Sequence, residues 1–497
     1  MAEGVLKKEQ DKSWISVSFR LLPVFFALIL FAFFLFYDQS AHKFDENEAV
    51  AQTLVGLTVI FSSVAGFILY KKDLLKIKTV VILLAVCGFA LRLAYALKFG
   101  YNVHQHDVES LDSSGHLSYI YSLANGNGLP DTNDWQFSHP PLHHFLSALS
   151  VKLSYLLGFT NGRAFENIQY LTVFYSTLTM FAGYRILKLC NLKGNNLLIS
   201  MALLVFHPTF QILAGSINND VLTILLSMYG IVYLMKWYRE PSVKYAALCG
   251  LFLGLGMMTK VSAALMAVVA AVTVLIKFVV DKELKFGRMV LHALIFVIIL
   301  LPLGMWHPVR NYLLFEQPLG YVAPIPTTSS LYIGDVSIFD RIILPFSKDR
   351  FGVYVDVWEE YNVWYYTLRN SLFGEYNFGN FGFAGLLVLS NLILILFSLL
   401  AVIYFAFKRF KPSRNLLPIF ILFIIQLGFF VYFNLKYPFG STMDFRYIVP
   451  LLFCGVTMFG VLCETFDSYS SVAVKSIVSG VKFTAIAFCI LSVFVMF

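Results

Sequence analysis

The feature that most constrains this chain is a succession of apolar runs, each about as long as a bilayer is thick. They lie at Val17–Tyr37, Ala49–Tyr70, Thr79–Leu97, Asn167–Leu189, Asn196–Ala214, Asp220–Trp237, Tyr245–Thr259, Val261–Val280, Val290–Trp306, Phe381–Phe407, Leu416–Phe433, Arg446–Cys463 and Ile477–Phe497. A helix rising through hydrocarbon needs ~20 such residues. An unpaired backbone cannot face lipid, so each run predicts a helix and the chain predicts an all-α polytopic membrane protein of about thirteen transmembrane helices. With 58% hydrophobic and 13% charged residues, the 497-residue chain has more apolar surface than a water-soluble core would bury.

Charge orders the spans. Lys7, Lys8 and Lys12, then Lys71, Lys72, Lys76 and Lys78, then Arg185, Lys188 and Lys193, then Lys236, Arg239 and Lys244 occupy alternate loops, and the alternation continues through Lys282, Lys285 and Arg288, through Lys408, Arg409, Lys411 and Arg414, to Lys475. Such loops are cytoplasmic by the positive-inside rule, which places the N-terminus inside and reads the formal charge of +8 as membrane orientation, not nucleic-acid binding. The apolar stretch Leu142–Phe159 would reverse every later loop if it crossed, so it is expected to lie flat at the outer interface, opened by Pro140 and Pro141. All six cysteines fall in or beside apolar runs and build no disulfide framework. The first run follows MAEGVLKKEQDK without a small-residue cleavage site and reads as a retained span. The chain then divides into a tail with an added hairpin (1–78), a transmembrane core (79–306) that includes an outer loop (99–166), a second outer loop (307–380) and C-terminal helices (381–497).

Titratable groups concentrate between His104 and His144, where six of the ten histidines lie. A long polar loop rich in Trp, Tyr and Phe is a folded, functional element rather than a disordered one. Asp107, Glu109 and Asp112 are candidate general bases, since a carboxylate in a water-poor cleft accepts a proton from an attacking hydroxyl; the plain alternative for each is a solvated loop acid. If the segment after Asp112 is helical, His116 lies one turn on and orients that carboxylate. His104 and His106, alternate residues of an extended strand, are candidate metal ligands, although no second element with ligand spacing accompanies them. Otherwise the histidines donate hydrogen bonds to a phosphate.

Asn219 and Asp220 sit where a span meets the outer side, as a helix cap or as site residues. Lys260 interrupts an apolar run at the turn between two spans, where a charge is costly and is usually functional unless it snorkels to the interface. Arg310 and Arg446 stand at outer ends of spans, as interfacial anchors or as guanidinium forks for a phosphate. The aromatics of the second outer loop read as an interfacial belt.

In this order and on one side, the acidic first outer loop, the HPPL stretch from His139 to Leu142, SINND ending at Asp220, the TKVSAA turn at Lys260 and the pair Arg446-Tyr447 resemble the polyprenyl-phosphate-sugar-dependent glycosyltransferases of the GT-C fold, the group of protein O-mannosyltransferases and lipid A aminoarabinose transferases. The resemblance runs from about Thr79 onward. Three spans precede the first outer loop where the family usually has one. The family's Asp-Glu pair is represented by Asp107-Val108 and Asp112-Ser113, so either Asp is a candidate base, Asp107 being the one flanked by histidines.

That resemblance implies a GT-C-like bundle with a juxtamembrane first loop. It implies a multi-pass protein of a bacterial plasma membrane, or of the endoplasmic reticulum in a eukaryote, that moves a sugar from a polyprenyl-phosphate donor to the hydroxyl of a glycan or protein acceptor, with inversion. Asp107 or Asp112, with His116, would supply the base; Lys260, Arg310, Arg446 and Tyr447 would hold the departing lipid phosphate; and Glu109, His139, His143, His144, Asn219 and Asp220 would contact substrate. No cofactor is required, with a divalent metal at His104 and His106 as the open alternative. Two other classes remain: a membrane metallohydrolase, marked by bound zinc, and a lipid-linked glycan transporter, which needs charges in the middle of spans.

Overall fold

The computed structural model describes residues 44–280, 284–343, 360–376, 381–407 and 416–497. The expected span Val17–Tyr37 lies outside them. Where it is described, the chain is helical: α1 (Phe44–Lys71), α2 (Ile77–Lys98), α3 (His116–Ala124), α4 (Leu142–Leu156), α5 (Asn161–Leu189), α6 (Gly194–Phe206), α7 (Pro208–Gly215), α8 (Asp220–Arg239), α9 (Val243–Met257), α10 (Ala264–Val280), α11 (Phe286–Phe315), α12 (Val363–Phe373), α13 (Phe381–Phe407), α14 (Leu416–Lys436), α15 (Pro450–Asp467) and α16 (Val472–Met496). Among the described residues ten helical stretches are long and apolar enough to cross a membrane, against about thirteen expected for the whole chain. Two other expected spans are present as helices: α9 is apolar but shorter, and α5 is longer but more polar.

The polarity of α5 has a physical reason. This helix packs against α2, α4, α6, α7, α8 and α15, so its Asn167, Gln169, Thr172 and Ser176 are buried among protein rather than set against lipid. They satisfy backbone groups that the surrounding breaks expose: Gln169 donates to the Phe99 and Gly215 carbonyls at 2.9 and 2.7 Å, and Thr172 to Ala214 at 2.6 Å. One break follows α6, where His207-Pro208 ends one helix and starts the next because proline cannot continue the ladder but suits a first turn. The carbonyl of Val205 left open there accepts from the buried Arg92 of α2 at 3.0 Å, while Arg92 Nε bonds Ser176 at 2.9 Å.

Close helix approach is set by small residues. Gly250 and Gly254, one turn apart on α9, face α11; a Cβ on Gly250 would sit 2.7 Å from the Phe296 carbonyl oxygen, and one on Gly254 would sit 2.9 Å from Leu303 Cβ. Such small-xxx-small spacing lets backbones meet where lipid offers no hydrophobic drive for association. The alternation of helices brings the C-terminal ends of α2, α7, α9, α11 and α14 and the N-terminal ends of α5, α8, α10 and α15 to one end of the bundle. Lys71, Lys188, Lys236 and Arg239 lie in last turns at the other. The short α3 and α4 pack on each other, and α4 packs on α5, at the first end.

Candidate active site

Three sequence motifs meet through short hydrogen bonds at that end. Pro141 starts α4, whose Leu142 amide donates to the Met258 carbonyl at 3.0 Å, beside Lys260. His143, next along, donates Nε2 to the Ile217 carbonyl at 2.9 Å. Asn219 donates to the Thr259 carbonyl at 3.2 Å, and the Asp220 amide is held by the Asn218 side chain at 3.1 Å. The HPPL stretch, SINND and the TK turn are therefore one framework whose product is an ion pair between Lys260 Nζ and Asp220 Oδ1.

The first outer loop brings Asp107 to this pair. Its backbone holds His104, Asp107 and Glu109 at φ of +53°, +57° and +51°, left-handed values that cost a non-glycine residue about 1–2 kcal/mol each and cluster where function holds them. The loop is fixed by the amides of His116 and Leu117, which donate to the Asp107 and Val108 carbonyls at 3.0 and 3.2 Å. Gly115 makes room for this, since a Cβ there would collide with the Val108 carbonyl. Arg446 arrives from the turn Phe445–Ile448 before α15. Its Nη1 lies 2.7 Å from Asp107 Oδ2 and 3.7 Å from Asp220 Oδ2, and its Nε lies 2.8 Å from Asp444 Oδ2. Tyr447 presents its ring to both cations, 5.3 Å from Lys260 Nζ and 5.5 Å from the Arg446 guanidinium.

Asp107 keeps 26% of its side chain exposed while Arg446 keeps 8%, so the carboxylate is the edge of the cluster that an incoming molecule meets. Burial alone would raise the Asp107 carboxyl, but Arg446 and His106 hold it below the usual carboxylate range. Burial likewise opposes a charge on His106, yet the Glu375 carboxylate at 3.3 Å raises its imidazole above the ordinary value. The other histidines of the loop are driven neutral, chiefly by burial: His139 to about 3, with Lys260 adding to the effect, and His104 and His143 to about 4. They serve as hydrogen-bonding and stacking surfaces, not as cations.

The expected residues sort as follows. Asp107, Asp220, Lys260, Arg446 and Tyr447 converge. His116 is bonded to His144 through Nδ1 and Nε2 at 2.9 Å, and Tyr119 stacks on His144 at 4.0 Å. His139 lies parallel to His116 at 6.0 Å. Asp112 stands on an exposed turn before α3, which begins only at His116, so the helical spacing expected between them is not formed. Glu109 is exposed as well. Arg310 is engaged elsewhere, donating to the Pro130 carbonyl at 2.8 Å and to Asn311 at 3.0 Å. His104 lies between the rings of Phe99 and Tyr376, at 4.0 and 4.1 Å, while His106 turns toward Glu375.

Two acids in the cluster were not singled out by the sequence. Glu375 follows α12 in the second outer loop, bonded by the Tyr366 hydroxyl at 3.2 Å; Asp444, two residues before Arg446, accepts the Arg446 amide at 2.9 Å. The signals that could have found them were a lone acid inside an aromatic, glycine-rich stretch and an acid spaced to cap the turn that carries Arg446.

Against known proteins, residues 138–306 match the sequence model of the dolichyl-phosphate-mannose-protein mannosyltransferase family. Residues 138–306, about a third of the chain, are thus similar to that family. The matched region holds His139, His143, His144, Asp220 and Lys260, the framework described above, and the resemblance expected from the sequence is met there. Asp107 and Arg446 lie outside it. Solved structures similar to the chain include the protein O-mannosyltransferase Pmt1-Pmt2 complex of S. cerevisiae bound to the sugar donor (17% identity, TM-score 0.35, covering 48% of this chain and 34% of that one). The Archaeoglobus fulgidus oligosaccharyltransferase in the apo form is similar at 12% identity and a TM-score of 0.49, covering 84% and 55%. ArnT from Cupriavidus metallidurans in the apo state is similar at 12% and 0.47, covering 84% and 76%. The chain thus spans about a third of the length of the first of these. No curated protein sequence matches it significantly.

Proposed function

We propose that this protein is a membrane glycosyltransferase that moves a sugar from a polyprenyl-phosphate donor to an acceptor hydroxyl, with inversion at the anomeric carbon. The observation that carries this reading is the convergence of one partly exposed carboxylate, Asp107, with two fixed cations, Arg446 and Lys260, on the framework of the matched region. The acceptor oxygen attacks the anomeric carbon from the Asp107 side, its proton passes to Asp107, and the carbon–oxygen bond to the phosphate breaks, releasing polyprenyl phosphate. The leaving phosphate gains negative charge as the bond opens, and cations already in place in a low-dielectric cleft stabilise that state more than the ground state. Asp220 positions Lys260 and shares Arg446. Glycan or protein acceptors would approach over His139 and the exposed edge of Asp107. Arg310, at the Pro130 carbonyl, lies on this acceptor side of the reading rather than with the phosphate.

The charge pattern supports a multi-pass protein with the site on the outer or lumenal face and a cytoplasmic N-terminus, in a bacterial plasma membrane or the endoplasmic reticulum of a eukaryote. The test is transfer from defined polyprenyl-phosphate sugars by purified protein. Asp107→Asn should lower turnover ~10²–10⁴-fold, the usual contribution of a general base, whereas Asp112→Asn should change it little. Full transfer by Asp107→Asn would remove the assignment.

A further inference from the structure

We infer that His106, Glu375 and Asp444 form a binding site for one divalent transition-metal ion of the Zn²⁺ or Mn²⁺ class, a site separate from the sugar-transfer reading. Their ligand atoms, one imidazole nitrogen and two carboxylate oxygens, lie within 4.8 Å of one another, with His106 Nδ1 3.3 Å from Glu375 Oε2 and 4.0 Å from Asp444 Oδ2. One imidazole with two carboxylates is a donor set these ions accept at ~2.0–2.2 Å, with water completing the shell.

Three independent features point to a ligand. Asp444 is 2% exposed, and its Oδ2 pairs with Arg446 Nε without hydrogen-bond geometry, so this buried oxygen keeps lone pairs for another partner. A cavity of about 20 Å³ opens beside it, bounded by two of the three ligands, His106 and Asp444, and by Thr209, Asn370, Gly374 and Arg446; that is room for about one water-sized particle. The third is charge. Among the described residues, the four carboxylates Asp107, Asp220, Glu375 and Asp444 outnumber the two fixed cations set among them, Arg446 and Lys260, by two. A divalent ion held by His106, Glu375 and Asp444 offsets that excess.

The ligands come from three distant places: the first outer loop, the second outer loop after α12, and the turn before α15. An ion there ties all three together, a structural role. The experiment uses tag-free full-length protein in detergent, stripped with chelator and dialysed against Zn²⁺ or Mn²⁺ alone, with bound metal measured by mass spectrometry. Wild type should retain one equivalent and melt at a higher temperature than the stripped protein. Glu375→Gln and Asp444→Asn, which keep side-chain size, should bind at least ~10-fold more weakly, and Asp131→Asn, on an exposed turn, should bind as wild type. Absence of uptake of either ion by wild type overturns the site, whatever the variants do. So does undiminished uptake by both Glu375→Gln and Asp444→Asn. Neither outcome touches the transfer assay, which is read separately with stripped protein.

Discussion

Arg446 is the residue on which the site depends. Its guanidinium reaches Asp107 through Nη1 and Asp444 through Nε, a fork that lysine cannot reproduce. Arg446→Lys should therefore lose most of the transfer activity, ~10²-fold or more by analogy with removal of one oxyanion-stabilising donor, while the protein still elutes as a folded species. Retention of activity by the lysine variant would show that only charge is required. Gly115 gives a second residue-scale expectation. An added methyl collides with the Val108 carbonyl, so Gly115→Ala should displace the loop that carries Asp107. Turnover should fall ~10-fold, as small misplacements of reacting groups do, with little change in melting temperature, because the loop lies outside the bundle core.

How much of the site the sequence discloses is also decided residue by residue. Asp220, Lys260 and Arg446 were legible because a charge at the end of an apolar run is costly and demands a reason, and Asp107 because it lies among histidines in a polar loop. Glu375 was not, since the tyrosines and phenylalanines around it read as an interfacial belt. The pairing of His116 was misjudged for a local reason. The helix begins at His116 itself, after Gly115, so Asp112 is outside the periodicity that would align them, and His144 takes that place.

At the scale of elements, hydropathy located the helices well because a bilayer leaves backbone groups no alternative to internal hydrogen bonding. It could not show that α6 and α7 are one interrupted span, or that the break is repaired by Arg92 from a helix more than a hundred residues away in sequence, a contact between residues 113 apart. Nor does hydropathy show which helices touch. The α9–α11 contact rests on Gly250 and Gly254, and a branched side chain at Gly250 would drive into the Phe296 backbone. Gly250→Leu should cost about 1–3 kcal/mol, the usual range for overpacking, read as a lower melting temperature in detergent. An unchanged melt would mean that the two helices separate without penalty.

For the whole molecule, the decisive expectation is sidedness. Asp131 of the first outer loop and Thr327 of the second are both exposed at the end that holds the site, whereas Lys72 is exposed at the opposite end. Five of the six native cysteines are buried, so their background reactivity toward a membrane-impermeant thiol reagent is low. Added from the site side of sealed vesicles, that reagent should label Asp131→Cys and Thr327→Cys but not Lys72→Cys. Labelling of the first two from opposite sides would separate the loops and with them the proposed function.

The pairing of Asp107 with Arg446 joins positions 339 residues apart in the chain. A ribosome that has delivered the acid must still insert most of the later helices before its partner emerges. Until the segment before α15 has emerged, the nascent chain carries Asp107 without the cation that pairs with it. By the proposed reading, transfer begins as one of the last events of biogenesis, and truncations that keep residues 138–306 but end before residue 446 should be inert.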